Sequence, residues 1–392
     1  MNTAVRRGTH ITRIVSLLLL LLIFLCILFP FIDEIMSGGN SWNQGDWLIN
    51  NEYTLTRRGV FGSLLLALSD TMGANPLYVV GFVQFILILL VFVGIYLALL
   101  YNNFSLFCVW MVLSPAFVFL FWLHDPQGSF RKELIVYFSY SLVLLSVTIN
   151  LRQTWLLAVS ASVFVLAVFA HEANVFSLPF YLLMIWLLRE RYPEWHLGAL
   201  AVCVVIGSVA GIAYALTFPR VENPQLICAA LTERGLSGHL CTGAIEWLSD
   251  DIDTALSHAK QRVESGAHWT YIAAYLLSLI PFLLFRPEGI KQKYYFACLL
   301  LGIGCFAPLF IVGEDWGRWI SFYITSITMI ALVDMSIRGR SWEIGSGNRA
   351  IVTVIAILHV ALWSFPHVGG SLGLGLVDFA IRIGNKAARL LS

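Results

Sequence analysis

The chain has 392 residues, 59% of them hydrophobic and 12% charged, with a mean hydropathy of +0.81. A soluble domain is roughly half apolar and a quarter charged, so this composition excludes a water-soluble globular protein. A net charge of +1 provides no basic footprint for nucleic acid, which is excluded as a partner.

In chain order, the first apolar run covers residues 11–31 and follows Arg6, Arg7 and Arg13. It is long enough to cross a bilayer and no small-residue cleavage site follows it, which predicts an uncleaved first helix. A polar stretch (33–59) comes next, then a segment (60–68) too short to span, which predicts an interfacial or re-entrant helix. Apolar runs at 77–100, 104–123, 133–149, 154–170, 175–188, 197–216, 269–285, 294–312, 320–335 and 351–365 each predict a span, and glycine-rich 369–383 is a weaker twelfth. The expected fold class is all-α: a polytopic membrane helix bundle of about 11–12 transmembrane helices with a short interfacial helix after the first outer loop. Residues 1–392 read as a single transmembrane domain, with 219–268 as an extracytoplasmic loop or small helical cap within it.

Orientation follows from Lys and Arg in short connections. With the N-terminus cytoplasmic, the inner connections carry Arg6, Arg7, Arg13, Arg152, Arg189, Arg191, Arg286, Lys291, Lys293, Arg338, Arg340 and Arg349. The short outer loops carry Arg57, Arg58, Arg131, Lys132 and Arg318. Tail residues Arg382, Lys386 and Arg389 would sit inside after a twelfth span, or on an amphipathic helix at the outer surface. Cys228 and Cys241 share the 219–268 loop, and an oxidising outer compartment would favour a disulfide between them. No metal-ligand spacing is present, and a divalent metal is left open.

This topology gathers the dense ionisable clusters on one side. They are Asp33, Glu34, Asp46, Glu52, Arg57 and Arg58; His124, Asp125, Arg131, Lys132 and Glu133; His171 and Glu172; Glu314, Asp315 and Arg318; and the long loop itself. Arginine in an outer loop opposes the insertion bias, so it calls for another reason. Guanidinium groups bind phosphate oxygens in pairs, and carboxylates or His171 can deprotonate an acceptor hydroxyl. Each cluster also has a plain structural explanation: a solvated helix end at Asp33–Glu34, pairing of Arg57–Arg58 with Glu52 or Asp46, and pairing of Arg131 with Asp125. His171–Glu172 could be a hydrogen-bonding turn, and Asp315 with Arg318 a local ion pair.

The layout resembles GT-C glycosyltransferases and the related bacterial polysaccharide polymerases, carried by acidic residues soon after helix 1 (Asp33, Glu34, Asp46), the short helix at 60–68, and outer-loop arginines Arg57, Arg58, Arg131 and Arg318. The resemblance implies transfer of a sugar or glycan unit from a polyprenyl-phosphate-linked donor to a glycan acceptor. The work would be done at the periplasmic face of a bacterial inner membrane, beside membrane lipids and other polysaccharide-assembly proteins. Asp46, Asp33, Glu34, His171 and Glu172 would then be catalytic, and Arg57, Arg58, Arg131, Lys132, Asp315 and Arg318 would bind the donor. The large soluble C-terminal domain of many such transferases has no counterpart here. Three rivals stand beside this reading, one of them a non-catalytic assembly subunit, in which no charge substitution would matter unless it cost expression. A secondary transporter would place charge near the midplane and show repeated halves, yet only Asp334 and His359 lie deep in spans. A membrane acyltransferase would use His171 as base.

Overall fold

A computed structural model describes residues 3–149, 154–193, 196–286, 292–339, 343–344 and 348–381. Arg152, Lys291, Arg340, Arg382, Lys386 and Arg389 lie outside the described residues. The protein is 76% helical, a membrane-embedded all-α bundle. Its helices in chain order are α1 (Thr3–Met36), α2 (Gln44–Trp47), α3 (Gly59–Met72), α4 (Pro76–Tyr101), α5 (Leu106–Val112), α6 (Val118–His124), α7 (Glu133–Thr148) and α8 (Thr154–Ala170). They continue as α9 (Leu178–Arg191), α10 (Leu197–Thr217), α11 (Gln225–Thr232), α12 (Ile252–Glu264), α13 (Ala267–Leu284), α14 (Gln292–Val312), α15 (Trp316–Arg338) and α16 (Arg349–Ala361). Phe285–Arg286 and Glu343–Ile344 pair as two short antiparallel strands.

Among the described residues five helices are long and apolar enough to cross a bilayer: Arg13–Met36 within α1, then α4, α10, α13 and α15. Helical hydrogen bonding satisfies the backbone where lipid offers no partner. The outward faces of α1 and α10 are correspondingly apolar, with Leu18, Ile206 and Val209 all exposed. The segment at 60–68 lies within α3, which ends at Gly73 in the left-handed conformation.

Two predicted spans differ. The run at 104–123 is broken: α5 and α6 are short and a turn around Pro115 separates them. Proline lacks the N–H and disfavours helix at the residue before it. The opened backbone is satisfied locally, because Phe117 N–H donates to Ser114 O (2.9 Å) and Val118 N–H to Thr325 Oγ1 (3.1 Å). The predicted twelfth span, 369–383, is irregular through Gly375; Gly369, Gly370 and Gly375 hold positive φ, and Ser364 bridges Gly373. Its last two residues lie outside the described set.

Backbone packing divides the chain into two units, the first comprising Met1–Phe24, Leu99–Gly128 and Leu256–Ser392, the second Leu25–Ala98 and Ser129–Ala255. In the first, α15 is central: α13, α14, α5 and α6 pack around it, and every residue from Trp316 to Ser336 is buried. Being surrounded, α15 can carry polar groups such as Thr325, Thr328 and Asp334, the last paired with Arg338 at 2.7 Å. In the second unit α8 packs against α7, α10 and α3, and α9 against α10. Cys228, on α11, forms a disulfide there with Cys241.

Candidate functional site

The second unit holds a buried charged cluster built on connecting segments. The polar stretch after α1 folds on its own side chains: Asn40 Oδ1 accepts from the N–H groups of Trp42 (2.8 Å) and Asn43 (3.1 Å), and Gln44 Oε1 accepts from Asn40 N–H. This turn leads into α2, which carries Asp46 and Trp47 inward. Gly62 on α3 lets that helix approach closely, since a Cβ there would overlap the Ile49 carbonyl oxygen.

Phe130 sets the opposite wall. It is a non-glycine residue at φ +57°, a conformation that costs energy unless its surroundings enforce it. They do: its carbonyl oxygen accepts from Trp47 Nε1–H (2.8 Å) and from Gln84 Nε2–H (2.9 Å). The next two side chains are thereby aimed. Arg131 donates from Nη1 to Trp42 O (2.9 Å), with its guanidinium 5.1 Å above the Trp42 ring. Lys132, fully buried, reaches Asp46 Oδ1 at 3.5 Å, and Asp46 is itself only 2% exposed. Arg58 grips Glu172 from Nε (2.9 Å) and Nη2 (2.6 Å). Arg57 is held more loosely, with Nε 3.7 Å from Glu172 and no hydrogen-bond partner at that buried nitrogen among the described residues. His171 Nδ1 accepts from Ala173 N–H (3.1 Å), so a neutral ring carries its proton on Nε2.

The electrostatics follow. Burial pushes the Asp46 carboxyl up, but Lys132, His171, Arg58 and Arg131 together outweigh it and hold the group below the usual carboxylate range. Burial likewise opposes charge on Glu172, and Arg58, His171 and Arg57 hold it well below that range. Lys132 is pushed down by burial despite Asp46, and Arg57 by burial and its neighbour Arg58. Arg58 is held up, its burial outweighed by Glu172. Asp46 and Glu172 therefore suit the holding of cations better than the acceptance of protons at neutral pH.

Other predicted residues sit differently. Asp33 is exposed on the last turn of α1, apart from this cluster. Glu34 accepts from Asn43 Nδ2 at 3.1 Å. Glu52 pairs with Arg234 (2.6 Å), which also holds Asp70 (2.6 Å). The Arg57–Arg58 pair thus finds Glu172, 114 residues away from Arg58, in place of the nearby Glu52.

The first unit has its own cluster around the start of α15. Asp315 lies at the N-terminus of the helix and pairs with Arg318 at 2.6 Å; Arg318 also stacks 4.2 Å from the Trp319 ring. Glu314 accepts from Arg262 Nε on α12 at 2.8 Å. Asp125, at the end of α6, binds His367. Tyr271 on α13 donates to Gly369 O (2.9 Å) and lies within electrostatic reach of Asp125, Asp315, Glu314 and Arg262. His367 escapes a reading of the sequence because it stands alone after Pro366, 242 residues from its partner. Gln84, a polar residue inside an apolar span, was the one available sign of the Phe130 support. Among the described residues no group of three or more His, Cys, Asp or Glu could hold a metal ion.

No family model, no curated protein and no solved structure matches this chain.

Proposed function

We propose that this chain is a membrane glycosyltransferase or glycan polymerase. It takes a sugar or glycan unit from a polyprenyl-phosphate-linked donor and passes it to a glycan acceptor at the outer face of a bacterial inner membrane. The observation that carries the proposal is Arg57. Among the described residues its Nε lacks a hydrogen bond, its side chain is partly exposed, and it stands beside a cluster whose other cations are engaged by carboxylates, a carbonyl or a ring. A guanidinium in that state has donors to give to a phosphate. Arg58, Arg131 and Lys132 add positive potential around it and favour the charge that develops on a departing phosphate. The Cys228–Cys241 disulfide supports an oxidising, extracytoplasmic setting for the loop that bears it. The layout similarity to GT-C enzymes and polysaccharide polymerases supplies the sugar-transfer chemistry.

The test is Arg57→Ala in full-length protein reconstituted in liposomes, with lipid-linked glycan extracted from producing membranes as donor and acceptor. Product should fall by about 100-fold or more, as for loss of one group that stabilises transition-state charge. Protein yield and melting temperature should match the unsubstituted chain, because the ion pair of Arg57 with Glu172 is long at 3.7 Å. Full activity in both Arg57→Ala and Arg318→Ala would refute phosphate clamping.

A further inference from the structure

Asp125 and His367 form a pair whose hydrogen bonds define a single direction. Asp125 Oδ2 accepts from the His367 backbone N–H (2.5 Å) and lies 2.7 Å from His367 Nδ1, while Asp125 Oδ1 accepts from Gly128 N–H (3.0 Å). An ionised carboxylate only accepts, so Nδ1 carries a proton and Nε2 presents its lone pair. Burial pushes the Asp125 carboxyl up, but the hydrogen bonds from His367 and Gly128 hold it low, which keeps it an acceptor. No hydrogen bond to His367 Nε2 occurs among the described residues, and the side chain is 17% exposed. The buried His359 of the same unit differs: it accepts from Trp110 Nε1–H (3.0 Å) and meets Leu277 O through Nε2 (2.9 Å), so both of its nitrogens are spent on packing.

The loop that carries His367 is locked. Gly317 N–H donates to His367 O (3.0 Å), and a Cβ at Gly317 would overlap the Pro366 carbonyl oxygen. The backbone of this loop is thereby held against Gly317 on the first turn of α15, the turn that also carries Arg318 with its partner Asp315, while the His367 side chain lies against Gly128 and Asp125. His124 precedes Asp125 at the end of α6, and Tyr271 on α13, which donates to Gly369 further along the loop, lies within electrostatic reach of Asp125, Asp315 and the Glu314–Arg262 pair.

We infer that His367 is a general base for the acceptor hydroxyl, with Asp125 as the residue that fixes its tautomer and orientation. The inference rests on the transfer reading above. In the step, the acceptor O–H bond breaks and its proton passes to His367 Nε2. The oxygen forms a bond to the anomeric carbon of the donor, and the carbon–oxygen bond to phosphate breaks, its electron pair leaving on the phosphate. Arg318, paired with Asp315, supplies positive charge in the same unit.

The test uses the reconstituted full chain with the same lipid-linked glycan pool and follows product against pH. His367→Gln should lower the rate by about 100- to 10,000-fold and abolish the acid limb of the profile. Asp125→Asn should lower it by a comparable factor, since an amide favours the wrong tautomer, and should displace the limb. His367→Ala should regain rate with added imidazole, which a purely structural histidine would not permit. An active unsubstituted chain whose His367→Gln form keeps its rate within about threefold, with the acid limb in place, overturns the inference and leaves the transfer reading standing. No product from the unsubstituted chain overturns both.

Discussion

Replacing Lys132 with Met should damage the protein severely, and restoring neutrality at Asp46 should repair most of the damage. Lys132 is fully buried and Asp46 is 2% exposed, so the substitution strands a carboxylate where water cannot reach it. Removing one partner of a buried pair costs about 3–5 kcal/mol, whereas replacing both with neutral groups is often close to neutral. Arg58 and Arg131 still act on Asp46 after the change, which favours the lower end, about 3 kcal/mol. Asp46→Asn should cost less, because an unpaired Lys132 is already pushed down by burial and can shed its proton. The double variant should lie within about 1 kcal/mol of the unsubstituted chain, giving a coupling energy of at least about 2 kcal/mol. Equilibrium unfolding of all four proteins in mixed detergent micelles measures this, with the linear dependence on denaturant giving each free energy. A Lys132→Met cost below about 1 kcal/mol, or strict additivity in the double variant, would refute the buried-pair argument. Lys132 would then be available for substrate instead of scaffold.

Two further outcomes follow from the same cluster. Gly62→Ala should destabilise by about 3 kcal/mol, the upper end for overpacking, since the new methyl meets the rigid Ile49 carbonyl and not a flexible side chain; an unchanged melting temperature would contradict the close approach of α3. Asp46 and Glu172 are both held below their ordinary range, so the stability they contribute is complete above about pH 5 and is lost as pH falls from there toward their depressed values, at up to about 1.4 kcal/mol per pH unit for each. Unfolding measured from pH 7 to 3 should show this decline, and Glu172→Gln should flatten it; a slope unaffected by that substitution would deny Glu172 its role.

Part of this arrangement is legible along the chain. Asp315 and Arg318 are three residues apart on one helix, so their pairing follows from helical geometry. His171 and Glu172 are adjacent, and a polar turn between two apolar runs was expected there. The pairing of Arg58 with Glu172 was not legible, because nearer carboxylates offered equally good chemistry and only the packing of α3 against α8 decides among them. The broken helix at 104–123 carried a sign in Pro115, yet its apolar composition outweighed that sign; the break is tolerable because Thr325 of a separate helix satisfies the exposed N–H.

The sequence by itself determined that this protein is a membrane-embedded helix bundle, since the apolar runs admit no other solvent and lipid admits no other backbone geometry here. It also determined that the charges collect between those runs, where their cost is lowest. Tertiary structure alone decided which charges far apart in the chain meet. Lys132 finds Asp46, Arg58 finds Glu172, and His367 finds Asp125 across separations that no local periodicity spans, because burial fixes each partner through the geometry of the elements that carry it.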